Sequence, residues 1–199
     1  LYQFGIRNTS ESVFEIQHNP LWTSDWGWFE GVDGNGIIQL CGIRGLCADH
    51  PDYEAGWGFM SVTEGLWNHF LQDDTYRRDV AIISEDMLAQ DLADAGVSCS
   101  PIIDATQNNP IDFTGYWQRK YANYKSFAGT NVNGGNEHLT KAQNTHVLRY
   151  ADVLLMLAEA LHRGNGSDGE AMNHIDQVRE RAAGPGDNSS TFRTSATVM

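Results

Sequence analysis

The segment that most constrains the fold of this chain is residues 145 to 183. From Thr145 to Arg163 the apolar residues Val147, Ala151, Leu154, Ala158 and Leu161 recur at intervals of four and three, while Arg149, Asp152, Glu159 and Arg163 fall on another side. That period predicts an amphipathic helix, whose apolar stripe has to be buried against something. Gly164 is suited to end it. Ser167-Asp168-Gly169-Glu170 reads as a capping box opening a second helix, which carries Ala171, Ile175, Val178 and Ala182 and stops at Gly184-Pro185. So short a connection forces the two helices to run antiparallel.

An Ala-rich hairpin of this kind resembles one tetratricopeptide-type unit. Such units bury a continuous core by stacking, usually three or more together. One is found in these 199 residues, so the expectation is a piece of a larger array.

Upstream, periodicity is weaker. Ser12 to Gln17 predicts a short strand with Phe14 and Ile16 on one face. Ser61-Val62-Thr63-Glu64 predicts a capped helix through Leu66 and Phe70, ending near Gln72, with Trp67 in the core. Asp73 to Asp79 reads as a charged turn, followed by a strand-like run from Val80 to Ile83. Ser84-Glu85-Asp86 predicts the cap of a helix reaching Ala95, with Gly96 as its stop. Tyr116, Trp117, Tyr121 and Tyr124 are spaced for packing or an interface. Asn131 to Asn136 is a turn or loop signal.

Residues 18–60 are different. They hold eight glycines and four tryptophans, Trp22, Trp26, Trp28 and Trp57, with Phe29, Tyr53 and Phe59. No period survives there. So much irregular chain in a compact protein is functional or disordered, and the aromatic content argues against disorder. An aromatic face can cover the apolar side of a sugar ring while polar neighbours take the hydroxyls. Trp22, Trp26, Trp28 and Trp57 are therefore the candidate ligand-binding residues, with Asp25 and Asn35 as hydrogen-bonding partners and Glu30 and Asp33 beside them. The competing role is to pin a long loop to the scaffold.

Charge and cysteine content narrow the classes. Thirteen basic against 26 acidic residues give a net charge of −13, which disfavours nucleic acid and anionic lipid. No apolar run approaches the ~18 residues of a membrane span. Cys41, Cys47 and Cys99 are an odd number, so the expectation is buried or free thiols, a Cys41–Cys47 bridge being the alternative. Cys41 and Cys47 with His50 match zinc spacing poorly. Asp33-Gly34-Asn35-Gly36 opens like a calcium loop but places Ile37 where the fifth-position ligand belongs. No metal, cofactor or catalytic residue is assigned.

Five segments in order carry a resemblance: Glu11 to Gln17, Gly56-Trp57-Gly58-Phe59, Asp74 to Asp79, Arg149 to Ala160 (RYADVLLMLAEA) and Ile175 to Ala182 (IDQVRERA). Together they resemble the SusD/RagB family of outer-membrane nutrient-binding lipoproteins, over about residues 10 to 183. The resemblance implies a mainly α fold, SusD-like, with tetratricopeptide-type hairpins, long irregular aromatic-rich loops and a few short strands. It implies one SusD-like domain fragment over 1–199, with the loop region at 18–60 and the hairpin at 145–183. It implies a non-catalytic subunit that binds oligosaccharide, or in some members peptide, at the outer face of the outer membrane. The implied partner is a SusC-like TonB-dependent transporter, and the implied membrane attachment is a lipid anchor outside this chain. In that family Asp74 to Asp79 is a structural turn. The alternatives are a tetratricopeptide-like module that binds a peptide or protein, and a glycoside hydrolase fragment.

Overall fold

Helix caps and strand partners decide where each element of this chain begins, and several begin away from their periodic pattern. A computed structural model describes residues 8–19, 34–70, 75–107, 113–127 and 136–184. The order is β1 (Ser12–Ile16), α1 (Ile37–Cys41), α2 (Glu64–His69), α3 (Thr75–Ala81), β2 (Ile82–Ser84), α4 (Glu85–Ala95), β3 (Tyr116–Gln118), β4 (Thr145–Arg149), α5 (Tyr150–Arg163) and α6 (Asp168–Ala183), with three short 3-10 turns between β2 and β4. The expected mainly helical class with a few short strands is what the described residues form.

The chain divides into two compact units. As far as they are described, the first holds Ile16–His69 and Val80–Thr145. The second holds Asn8–Glu15, Phe70–Asp79 and the residues from His146 onward.

The first unit is built around Ile43, Leu46, Tyr53, Ile83, Leu88, Ile103, Trp117 and Ala122. Strands β2 and β3 pair antiparallel, with Ile83 opposite Trp117 and Ser84 opposite Tyr116. Ser84 ends β2 and also caps α4: its hydroxyl accepts from the Met87 amide at 3.3 Å. Gly96 takes the left-handed conformation (φ 66°) that ends α4. Both signals act as the sequence predicts. Leu88 and Leu92 carry the buried stripe of α4.

Four expectations are corrected here. Helix α2 starts at Glu64 because Thr63, not Ser61, supplies the capping hydroxyl, 3.1 Å from the Leu66 amide, and it ends at His69. Trp67 is half-buried and stacks on Tyr116, with ring centroids 4.7 Å apart, instead of entering the core. The supposed charged turn is partly helical, since Thr75–Ala81 contains no Gly or Pro to break α3. Cysteines 47 and 99 form a disulfide, closing a separation of 52 residues that local spacing cannot reveal; Cys41 is the free, buried thiol.

In the second unit, β1 and β4 pair. Thr145–Arg149 is thus strand where helix was expected, and Val147 is exposed. The helical period of Val147 is a coincidence of phase. Asp152 sets the true start of α5: its carboxylate accepts the Arg149 amide at 3.0 Å and pairs with the Arg149 guanidinium at 3.3 Å. Ala151, Leu154 and Ala158 are buried. The turn after α5 uses Asn165 (φ 56°), not Gly164, as its left-handed residue. The Gly166 amide bonds back to the Leu161 carbonyl at 2.7 Å. Ser167 caps α6 by accepting from Glu170 at 3.3 Å. Helices α5 and α6 then lie side by side, and Leu155, Met156 and Leu157 stay exposed along α5.

Candidate functional site

Of the four candidate tryptophans, Trp57 is the one among the described residues, and backbone bonds fasten its loop to the end of α1. Helix α1 is short, and like any helix it leaves its last carbonyls without intrahelical donors. The Trp57 loop supplies them. Trp57 donates to the Gln39 carbonyl at 2.9 Å, Gly58 to Gly42 at 2.8 Å and Phe59 to Leu40 at 2.8 Å. Gly56 adds a bond to the Ile43 carbonyl at 2.8 Å. Four consecutive amides thus tie residues 56–59 to the end of α1.

The glycines here answer to space. A Cβ on Gly56 would stand 2.4 Å from the Gly42 Cα, so the two backbones meet face to face. Gly58 is left-handed (φ 72°) and lies on the Arg44 side chain. Gly-Trp-Gly therefore carries Trp57 on a loop with little freedom to shift.

Around Trp57 the surface is aromatic and open. Trp57 is half-buried, with its ring 6.2 Å from Phe59 and 6.0 Å from His138. Phe59 is 53% exposed and Met60 75%. Met60 is left-handed (φ 60°), a conformation that a residue with a side chain seldom adopts. The result is a ledge with an aromatic body, an imidazole at one side and a stretch of apolar surface.

Beneath the ledge lies a belt of buried polar side chains. Asn123 donates to Gln39 Oε1 at 3.1 Å and to the Ala55 carbonyl at 3.0 Å. Lys141, almost fully buried, pairs with Glu54 at 2.6 Å. Gln143 donates to the Lys120 carbonyl at 2.7 Å. Each of these bonds joins segments distant in sequence, so the belt substitutes for the regular structure that the loops lack.

His50 extends this pattern. It is fully buried, and its Nδ1 accepts from the Asp52 and Tyr53 amides, both at 3.3 Å. Those bonds fix the proton on Nε2 in the neutral ring. Burial holds the His50 pKa below its usual value, against the opposing pull of Asp91 and Asp52. Burial likewise pushes the Tyr53 phenol upward, beside Tyr124. These groups are internal to the first unit and brace it.

The candidate residues named from sequence fall into three groups. Trp22, Asp25, Trp26 and Trp28 lie outside the described residues, as do Glu30 and Asp33. Trp57 stands on the ledge. Asn35 is buried and committed: its amide donates to the Gln143 carbonyl at 3.0 Å, and its Oδ1 accepts the Ile37 amide at 3.2 Å at the start of α1. The side groups His138, Asn123 and Gln39 escaped sequence reading, because nothing local joins positions 39, 57, 123 and 138. The one available signal was the glycine on each side of Trp57. Among the described residues no cluster of three or more His, Cys, Asp or Glu side chains could hold a metal ion. No described helix is long and apolar enough to cross a membrane.

Comparison with known proteins places this geometry in context. The model of the SusD family matches residues 85–199. SusD-like protein P2 of Formosa agariphila is 29% identical over 164 residues, which are 82% of this chain and 30% of that protein. A solved laminarin-binding SusD-like protein is 30% identical, with a TM-score of 0.65 over 91% of this chain and 36% of its own. Surface glycan-binding protein A from Bacteroides thetaiotaomicron, in complex with laminarihexaose, matches in fold with a TM-score of 0.73 at 21% identity, over 96% of this chain and 39% of that one. The chain spans about a third of the length of these relatives.

Proposed function

The chain belongs to the SusD family, and on that premise we propose that it serves a non-catalytic, cell-surface glycan-binding protein whose ligand is a laminarin-type glucan. The observation that carries the proposal is the 30% identity to a laminarin-binding SusD-like protein across 91% of the chain. The ledge supplies matching chemistry. A glucose ring has one apolar face of C–H groups, which an aromatic surface covers, and a rim of hydroxyls for polar neighbours. Trp57, Phe59 and His138 are that aromatic surface in the first unit. Trp22, Trp26, Trp28 and Asp25 remain proposed contacts.

In this reading the protein captures oligosaccharide at the outer face of the outer membrane and passes it to a SusC-like TonB-dependent transporter. A lipid anchor outside these 199 residues holds it there. Binding alone is required of this subunit, so its residues orient the glycan without cleaving it.

The test is titration of laminarihexaose into the intact native protein, followed by tryptophan fluorescence and calorimetry. Saturable binding with unchanged glycan length supports the proposal. Trp57→Ala is expected to weaken binding by about tenfold, in line with a buried aromatic anchor. A flat titration with laminarihexaose overturns the ligand assignment, and shortening of the glycan overturns the non-catalytic role.

A further inference from the structure

Asn123 is costly for a protein to keep. It is 1% exposed, and its Oδ1 is buried with no hydrogen-bond partner among the described residues. A buried acceptor left unsatisfied carries a desolvation penalty that an apolar side chain of similar shape avoids. Packing offers no reason to retain an amide, so its donors have to account for it.

Those donors act on one place. The side-chain nitrogen holds the Ala55 carbonyl and Gln39 Oε1. The backbone carbonyl of the same residue accepts the Glu54 amide at 2.7 Å. Asn123 therefore grips two consecutive residues, Glu54 and Ala55, shortly before Trp57. The neighbouring Tyr53–Tyr124 bridge and the Lys125 amide bonding to Asp52 at 2.8 Å extend the same antiparallel register. Gly42 makes room for it: a Cβ there would lie 2.9 Å from the Asn123 Cβ. The amide also reaches α1 through Gln39, whose own carbonyl receives the Trp57 amide. Both sides of the Trp57 loop thus converge on one amide.

With the glycan reading as its biochemical premise, we propose that Asn123 is a positioning residue for ligand capture, setting the height and tilt of Trp57 through its paired grip on Ala55 and Gln39. It touches no ligand. Its contribution is to hold the aromatic face ready before the sugar arrives, so that binding does not have to order the loop.

The test has a ligand-free arm and a binding arm. Tryptophans are replaced by 5-fluorotryptophan, and the Trp57 fluorine resonance is assigned with Trp57→Phe. Asn123→Leu keeps the branching at Cγ but removes the donors. The expected result is a folded protein whose Trp57 resonance shifts or broadens while the Trp117 resonance in the core holds. Laminarihexaose affinity is expected to fall about fivefold, the size of coupling usual between residues in one network. In a Trp57→Ala background the same substitution should cost nothing further.

An unmoved Trp57 resonance overturns the proposal. So does an equal loss of affinity in both backgrounds, which would mark a general structural effect. If Asn123→Leu fails to fold, Gln39→Met decides: it removes one of the two bonds and should move the same resonance by less, and no movement overturns the assignment. If wild-type protein ignores laminarihexaose, the glycan reading fails while the fluorine arm still decides the positioning role.

Discussion

The two units of this molecule reach order by opposite routes. The α5–α6 hairpin is specified locally, by apolar spacing, a serine cap and a turn, and it leaves Leu155, Met156 and Leu157 exposed. The loop unit has little periodic structure. It is held by a disulfide, a belt of buried amides and backbone bonds between segments far apart in sequence. Order that comes from periodicity is cheap to encode but yields a smooth surface. Order that comes from long-range ties can present an irregular aromatic ledge, at the expense of depending on every tie.

That contrast can be broken most directly at the disulfide. Closing 52 residues reduces the freedom of the unfolded chain by an amount worth about 4 kcal/mol. The double substitution Cys47→Ser, Cys99→Ser should therefore destabilise the loop unit by about that much. Hydrogen exchange should quicken around Ile38, Tyr53 and Leu88 but not along α5 and α6. An equal loss of protection in the hairpin would mean that the two units unfold as one.

The reciprocal test is Leu154→Ala. Leu154 is 7% exposed, and truncating a buried leucine costs about 3 kcal/mol. The loss should register in α5 and α6 by the same hydrogen-exchange measurement. Protection around Ile38 should be retained.

The pH response is shared by the two units. The folded pKa of His50 in the first unit, like that of His146 in the second, lies below its ordinary 6.5 because the ring is buried. Protonation therefore favours the unfolded chain. Stability is full above about pH 6.5 and falls as the pH drops through that value and on toward the lower folded pKa. Melting temperature should hold between about pH 8 and about pH 7 and decline from about pH 6.5 toward about pH 5. His50→Asn keeps an acceptor near the Nδ1 position without titrating, so it should make that decline shallower, leaving the share that belongs to His146. A profile as steep in the variant as in the wild type would place the effect elsewhere.

The smallest effects belong to the caps. Ser84→Ala and Ser167→Ala each remove one hydroxyl acceptor and should each cost about 1 kcal/mol. Because both caps are local, their effects should be additive in thermal unfolding. Strong coupling between them would contradict the separation of the units.

What sequence could reveal follows the same division. The α4 cap at Ser84 and its stop at Gly96, the α6 cap at Ser167 and the buried Ala151, Leu154 and Ala158 were legible, because each signal lies within a turn or two of its effect. The strand at Thr145–Arg149 was not. Its residues fit a helical period, and only pairing with β1 and the back-bond from Asp152 end the helix at Tyr150. The helical stretch Thr75–Ala81 was hidden by its charges. Trp57 was singled out by its aromatic setting and family motif, and its contact with a ligand stands as a proposal. Asn35 looked like a ligand group because Asn in a Gly-rich loop suits that role, whereas its amide is spent on the Gln143 carbonyl. Asn123 and the Cys47–Cys99 bond act across long separations and leave no local mark.

Cys41 closes α1 at the point where the Trp57 loop is tied down. Its thiol is buried, and burial raises its pKa above the ordinary value. At neutral pH it is therefore shielded twice, by lack of access and by scarcity of thiolate. With the other two cysteines bonded to each other, it is also the single position at which an alkylating reagent can report. Its labelling rate in the native protein becomes a clock for how often the end of α1 lets go, read by mass spectrometry without any introduced probe.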